Sequence, residues 1–203
     1  MEQFQQSKKV VRDYYAALDK ASEEGVLDVL SAHTGDDYQW RGMHPFYEQA
    51  GPEAVAEVFW KPLRRSFSRI QRRQDVFMAG LNDCDGFNTE WVCSMGHLMG
   101  LFDEDWLGIP ANGKMGFLRY CEFNRVEDGR ITETAMYFDI PHLMAQAGQG
   151  VFATQTAQHL VQPGPRTHDG LLHAAQPAAT GQETLALINT MISDLGQWQS
   201  GLP

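Results

Sequence analysis

The sequence predicts an α+β fold, with helices packed on one face of a curved antiparallel sheet. Two observations carry this. Apolar residues fall on helical stripes through the first third of the chain, and stretches of strand character follow from about residue 70 to 140. The turn Glu127-Asp128-Gly129 joins the last two stretches into a hairpin. Helices first and adjacent antiparallel strands later is the order of an α+β layer.

The first helix is expected from about residue 5 to 20, with Val10, Val11, Tyr14, Tyr15 and Leu18 on one stripe. A second follows Ser22 and turns Val26, Leu27 and Leu30 inward. A third starts at Gly51-Pro52, where proline suits a first turn, and carries Val55, Val58, Phe59 and Leu63 inward past a kink at Pro62. Strands are expected over 70–80, 87–102, 114–126 and 130–140. In the second strand Phe87, Trp91, Cys93, Met95, His97, Met99 and Leu101 share a face, opposite Asn88, Glu90, Ser94, Gly96 and Gly100. That sets His97 among bulky apolar neighbours, as a core or a pocket residue. In the last strand Ile131, Ala135, Tyr137 and Asp139 share a face, so a carboxylate ends an apolar row.

Composition narrows the function classes. The chain has 203 residues, a formal net charge of -10 and 43% hydrophobic residues, enough for one core or one domain with an appendage. It is too apolar to stay disordered. The acidic balance, with a sequence pI near 5.0, argues against nucleic acid as a partner. No apolar run approaches the roughly 18 residues of a membrane span, and the opening MEQFQQSKKVVRDYY lacks the apolar core of a signal peptide. A soluble, cytoplasmic protein with no membrane partner is expected. Cys84, Cys93 and Cys121 are odd in number and form no C-x-x-C pair, so they read as reduced, mostly buried apolar residues. Asp139 and His142 could put two ligands on one turn, but no second pair has suitable spacing, and no metal is expected.

Charge also divides the chain. Residues 1–147 hold 23 acidic and 15 basic groups, and Lys61, Arg64, Arg65, Arg69, Arg72 and Arg73 crowd into one stretch, expected as a solvated helical stripe. Residues 148–181 are poor in charge and punctuated by Pro and Gly, which reads as a linker in which His159, His168 and His173 are exposed. Residues 182–203 recover an amphipathic pattern at Leu185, Ile188, Ile192 and Leu195, with Trp198 just beyond. This helix faintly echoes the first one, as though it opened a second similar domain.

Asp139 has two readings. It lies two residues before Pro141 and can simply start a short helix closed by Gly148, or it can be a carboxyl group at the lip of an apolar cavity, fitted by burial for proton transfer. The segment Trp40 to Tyr47, rich in aromatics and carrying His44, either rims a pocket or is a packed surface loop.

Ordered motifs run from His97 to Gly148: His97 and Gly100; Gly108-Ile109-Pro110-Ala111-Asn112-Gly113-Lys114; Arg125-Val126-Glu127-Asp128-Gly129-Arg130-Ile131; Asp139; and Gln146-Ala147-Gly148. In this the chain resembles the SnoaL-like polyketide cyclase family within the nuclear-transport-factor-2-like fold. The resemblance implies a cone-shaped sheet wrapped by three helices around a pocket, commonly in a dimer. It also implies that Asp139 acts as acid/base in an intramolecular aldol closure needing neither metal nor cofactor, with His97 near the carboxyl group. Tyr15, Trp40, His44, Phe59, Met99, Trp106 and Tyr137 are the residues expected to meet substrate. The chain departs from the pattern in the added acidic run Asp103-Glu104-Asp105, in Asn112 for the usual Thr, and in Ala135 where many relatives carry Trp. The expected function is therefore a cyclase, isomerase or lyase acting on a small hydrophobic carbonyl compound. The alternative is a non-catalytic small-molecule-binding module of the same fold. Hydration or epoxide opening would need an Asp-Arg-Asp cluster, with Arg119 as its middle member.

Overall fold

The computed structural model describes residues 4–151 and 163–197; Trp198, His159 and residues 152–162 of the expected linker lie outside them. Helices α1 (Gln5–Lys20) and α2 (Val26–His33) lead into strands β1 (Thr34–Gly42) and β2 (Glu48–Ala50). Then α3 (Gly51–Val55), a π-helical turn (Ala56–Trp60) and α4 (Lys61–Ser66) run end to end. The π turn lies just before Pro62, where the ladder loses an N–H donor. Strands β3 (Phe67–Leu81), β4 (Glu90–Phe102), β5 (Met115–Glu127) and β6 (Arg130–Phe138) follow, then α5 (Ile140–Gln146) and α6 (Ala178–Gly196). Among the described residues no helix is long and apolar enough to cross a membrane.

The six strands form one open, curved sheet in the order β2-β1-β6-β5-β4-β3. Neighbours are antiparallel except β1 and β6, which pair in parallel. Polar β1, with Asp36 and Asp37 in its first half, does not read as a strand, yet Tyr38 and Trp40 are its inward positions and both are buried.

The face expected to be internal in β4 is the outer one. Val92, Ser94, Leu98 and Phe102 point to the helices and are buried, while Trp91, Cys93, Met95 and Met99 are half-buried on the opposite face. The strand is apolar on both faces, so period-two alternation does not tell inside from outside. Likewise Thr134, Met136 and Phe138 are inward in β6, and Tyr137 is 56% exposed. A register shift between Arg125 and Val126 brings Ile131 to the inner side.

Gly96 and Gly100, on the row opposite His97, are where the sheet bends. Irregularities at Ser68/Gln71 and Gln74/Val76 carry β3 across the inner face of β4. A Cβ on Gly96 would lie 1.9 Å from the Arg73 carbonyl oxygen, and one on Gly100 2.9 Å from that of Ser68. Gly96→Ala is therefore expected to lower stability by about 3 kcal/mol, the upper end of overpacking costs, because backbone cannot step aside as a side chain can. Gly80→Ala is the control, since nothing lies within 4 Å of its added Cβ. Urea midpoints of the two variants check this.

The basic stretch is not one helical stripe, because the helix ends at Ser66 and β3 begins. Lys61 and Arg65 pair with Glu57 and Glu23, Arg64 reaches the Leu18 carbonyl, and Arg72 turns into the core. Part of the expected linker is docked on the edge of β3. Phe77 donates its N–H to the Gly170 carbonyl at 2.8 Å and accepts from Leu172 N–H at 2.7 Å. His173 stacks on Phe77, and the Lys8 ammonium donates to the Leu172 carbonyl.

Candidate functional site

Asp139 closes β6 and opens α5. Its Oδ1 accepts the His142 N–H at 3.1 Å, an N-cap bond, with Pro141 in the first turn. Its own N–H donates to the Arg119 carbonyl at 3.0 Å. Since Tyr120 pairs with Phe138 and His97 with Arg119, the residues His97, Arg119 and Asp139 occupy one row across β4, β5 and the end of β6. Two strand spacings, about 10 Å, separate the outer members of that row. Arg119 stands between the two groups that the family pattern brings together.

His97 is buried, with Nδ1 3.5 Å from Asp75 Oδ2 and no hydrogen bond to either ring nitrogen among the described residues. Burial lowers its pKa; Asp75 opposes this, while Arg73, Arg119 and His142 add to it. A neutral imidazole is the form this setting favours.

The helix behind Asp139 is held by Gln146. Its carboxamide donates to the Phe117 carbonyl at 2.8 Å and accepts the Phe117 N–H at 2.9 Å, taking the place of a strand neighbour beyond the end of β6. Asn112, at the position of the usual Thr, donates to the Gln146 carbonyl at 3.2 Å and accepts the Lys114 N–H at 2.9 Å. It thus ties the glycine-rich turn to the same helix end.

Next to Asp139 in the chain, Phe138 enters a cluster of rings. It stacks on Phe59 with centroids 4.5 Å apart, and Phe59 stacks on Trp40 at 5.5 Å. Phe46 meets Phe59 edge-on at 5.2 Å and stacks on Trp106 at 6.0 Å. None of the five rings is more than 4% exposed, so side chains fill this part of the interior. Phe46 and Trp106 come from loops; Trp106 sits in a tight turn whose backbone it closes with Ile109 through two mutual hydrogen bonds. Among the described residues the buried Trp106 Nε1–H has no acceptor.

The residues expected to meet substrate therefore divide. Tyr15, Trp40, Phe59 and Trp106 are in the core. Met99 and Tyr137 lie on the outer sheet face, and His44 is exposed on a loop, its Nδ1 2.8 Å from the Tyr47 hydroxyl.

A second buried centre has no counterpart in the sequence reading. On the inner face, Arg72 Nη1 lies 3.4 Å from Glu122 Oε2, with 3% and 1% of their side chains exposed. The guanidinium lies over the Tyr15 ring at 3.9 Å and near the Tyr120 ring at 5.0 Å. Burial raises the Glu122 pKa, while Arg72 and hydrogen bonds from Tyr15, Asn124 and Arg72 pull it down, leaving it raised. Around the pair, Tyr38 bonds Thr134 at 2.9 Å, Thr134 bonds Asn124 at 2.7 Å, and Asn124 donates to the Tyr15 hydroxyl at 3.1 Å. The network joins α1 to four strands of the sheet.

The comparisons with known proteins agree with this architecture. A family model for SnoaL-like polyketide cyclase matches residues 9–147. Among solved structures, the chain is similar to a Jannaschia sp. CCS1 protein named as a SnoaL-like polyketide cyclase: 19% identity over 70% of this chain and 90% of that one, TM-score 0.53. It is also similar to IdmH, named as a polyketide cyclase, from Streptomyces antibioticus (19% identity, 68% and 97% covered, TM-score 0.54). A protein from Xanthomonas campestris pv. campestris, likewise named as a polyketide cyclase, shows 24% identity with 70% and 97% covered and a TM-score of 0.53. At these identities the likeness speaks for the fold. No curated protein matches the chain. On the family match, which spans more than half of its length, the chain belongs to the SnoaL-like polyketide cyclase family.

Proposed function

We propose that the protein is a cofactor-independent enzyme of the cyclase or isomerase type that moves a proton on a small hydrophobic carbonyl compound, with Asp139 as its acid/base. The observation supporting this reading is the Trp106 Nε1–H, buried without an acceptor among the described residues, in a ring cluster whose member Phe138 directly precedes Asp139 in the chain. Buried donors normally find acceptors. A wall of aromatic rings with one spare donor suits a ligand that is apolar apart from a carbonyl oxygen.

In the reaction, the Asp139 carboxylate takes a proton from the carbon beside the carbonyl. The electron pair of that C–H bond moves onto the carbonyl oxygen, and the Trp106 N–H donates to the resulting enolate. Asp139 then returns the proton after ring closure or migration of the double bond. The cap bond to the His142 N–H engages Oδ1, and Oδ2 is the oxygen we assign to this task. Arg119 adds a fixed positive charge beside Asp139 in the row, and His97, two strand spacings away beyond it, takes no direct part in the proton transfer. Entry of substrate requires Phe46 and Trp106 to swing out with their loops.

A second reading, a binding module without turnover, is favoured by the cap bond, which gives Asp139 a structural role by itself. Both readings place the ligand against Trp106. With ethyl benzoylacetate as probe in a calorimetric titration, Trp106→Phe is expected to weaken binding by roughly 5- to 10-fold, the loss of one hydrogen bond with the ring retained. Equal affinity for both proteins would remove this donor from the site.

A further inference from the structure

Two apolar surfaces of the chain face solvent. One is on helix α6, where Leu185, Ile188, Ile192 and Leu195 form a row that Leu187 and Met191 widen on one side. Leu185 is half-buried, and the other five are 41% to 70% exposed. A helix of this length draws most of its stability from packing such a face. The other surface is the outer side of the sheet, where Met78, Trp91, Cys93, Phe123 and Tyr137 border an open groove of about 450 Å³. Met78, Phe123 and Tyr137 are 36% to 56% exposed. Apolar patches rimmed by polar groups mark interaction sites.

The two surfaces match in shape and in charge. The apolar face of α6 is wider than the narrow seam of a helix pair, and a sheet has the breadth to cover it. Glu183 and Asp194, the acidic residues of α6, both fall on the rim beside Leu187, about 16 Å apart along the helix axis. On the sheet, Arg119 and Arg125 share the outer face of β5 on either side of Phe123, about 20 Å apart. A helix laid along β5 brings one carboxylate to each arginine. The Arg125 pair with Glu127 is partly exposed and readily exchanged.

The chain leads its own α6 away from this groove. Leu172 is bonded to Phe77 at the β3 edge, and the Lys8 ammonium of α1 holds the Leu172 and Ala174 carbonyls on the helix-covered side of the sheet. Residues 175–177 then lead into α6, and the four steps from Ala174 reach about 14 Å at full extension. To lie in the groove of its own sheet, α6 would have to turn back round the edge strand and abandon the Lys8 contacts. We infer that α6 docks on the outer sheet face of a second copy of this chain, whose α6 docks in return. A two-fold exchange of this kind closes as a dimer and forms the contact twice.

The test is the oligomeric state of the full chain by sedimentation equilibrium. The unmodified protein is expected to be a dimer at micromolar concentration. Ile188→Glu with Ile192→Glu on the helix, or Met78→Glu with Tyr137→Glu in the groove, is expected to weaken self-association by at least about 100-fold. All four positions are exposed, so the core is untouched, and thermal unfolding checks that each variant is folded. Mixed at high concentration, the two variants are expected to form a heterodimer, because one copy supplies an intact helix and the other an intact groove. A monomeric unmodified chain, a dimer that survives the helix variant, or a mixture that stays monomeric would overturn the assignment. The last two results separate helix exchange from sheet-on-sheet and helix-on-helix pairing.

Discussion

Glu122→Leu is expected to cost roughly 3–5 kcal/mol of folding stability, because it leaves the Arg72 guanidinium buried without its counter-charge. Both side chains are almost fully enclosed, and among the described residues two of the three guanidinium nitrogens of Arg72 lack a hydrogen-bond partner. Solvent therefore cannot take over the role of Glu122. Asp19 Oδ1, 3.5 Å from Arg72 Nε, is the nearest remaining carboxylate, and it sits at the margin where water screens it. The double variant Arg72→Met, Glu122→Leu is expected to recover most of the loss, since removing both charges removes both desolvation costs. Urea unfolding of the two single variants and the double variant closes this cycle. Additive losses would show that the two residues do not act as a pair.

Asp139→Asn is expected to lower turnover by roughly 10²- to 10⁴-fold while leaving the folded state nearly as stable as before. Asparagine caps a helix about as well as aspartate, so the bond to the His142 N–H survives the change. An amide has no proton to exchange near neutral pH. The substitution therefore separates the two roles that the structure gives this residue, whereas Asp139→Ala would lose both at once. Unchanged thermal unfolding with lost activity is the expected pair of results; lost stability with retained activity would leave only the cap.

Much of the fold can be read from local signals. The helical stripes, the Glu127-Asp128-Gly129 hairpin and the glycine-rich turn each depend on a few neighbouring residues, and each lies where those residues put it. Facing is a different matter. In β4 both rows are apolar, and only the passage of β3 over Gly96 and Gly100 decides which row is inside. Arg72 and Glu122 escaped for the same reason. The row Leu118, Tyr120, Glu122 and Asn124 mixes apolar and polar residues, and its charge meets a partner only once the bulges of β3 aim Arg72 inward. The orphan Trp106 donor depends on five rings from separate elements and has no local signature. Asp139, in contrast, stands out by its spacing from Ile131 and Gln146, and that spacing leaves both readings, helix start and acid/base, open.

The claim that Asp139 moves a proton on a carbonyl compound is tested most directly by deuterium wash-in. Ethyl benzoylacetate in D₂O exchanges the protons between its two carbonyl groups, and NMR follows the exchange without any knowledge of the natural substrate. The protein is expected to speed this exchange above the buffer rate, Trp106→Phe to slow it, and Asp139→Asn to return it to the buffer rate. Exchange that continues undiminished in folded Asp139→Asn would contradict the account.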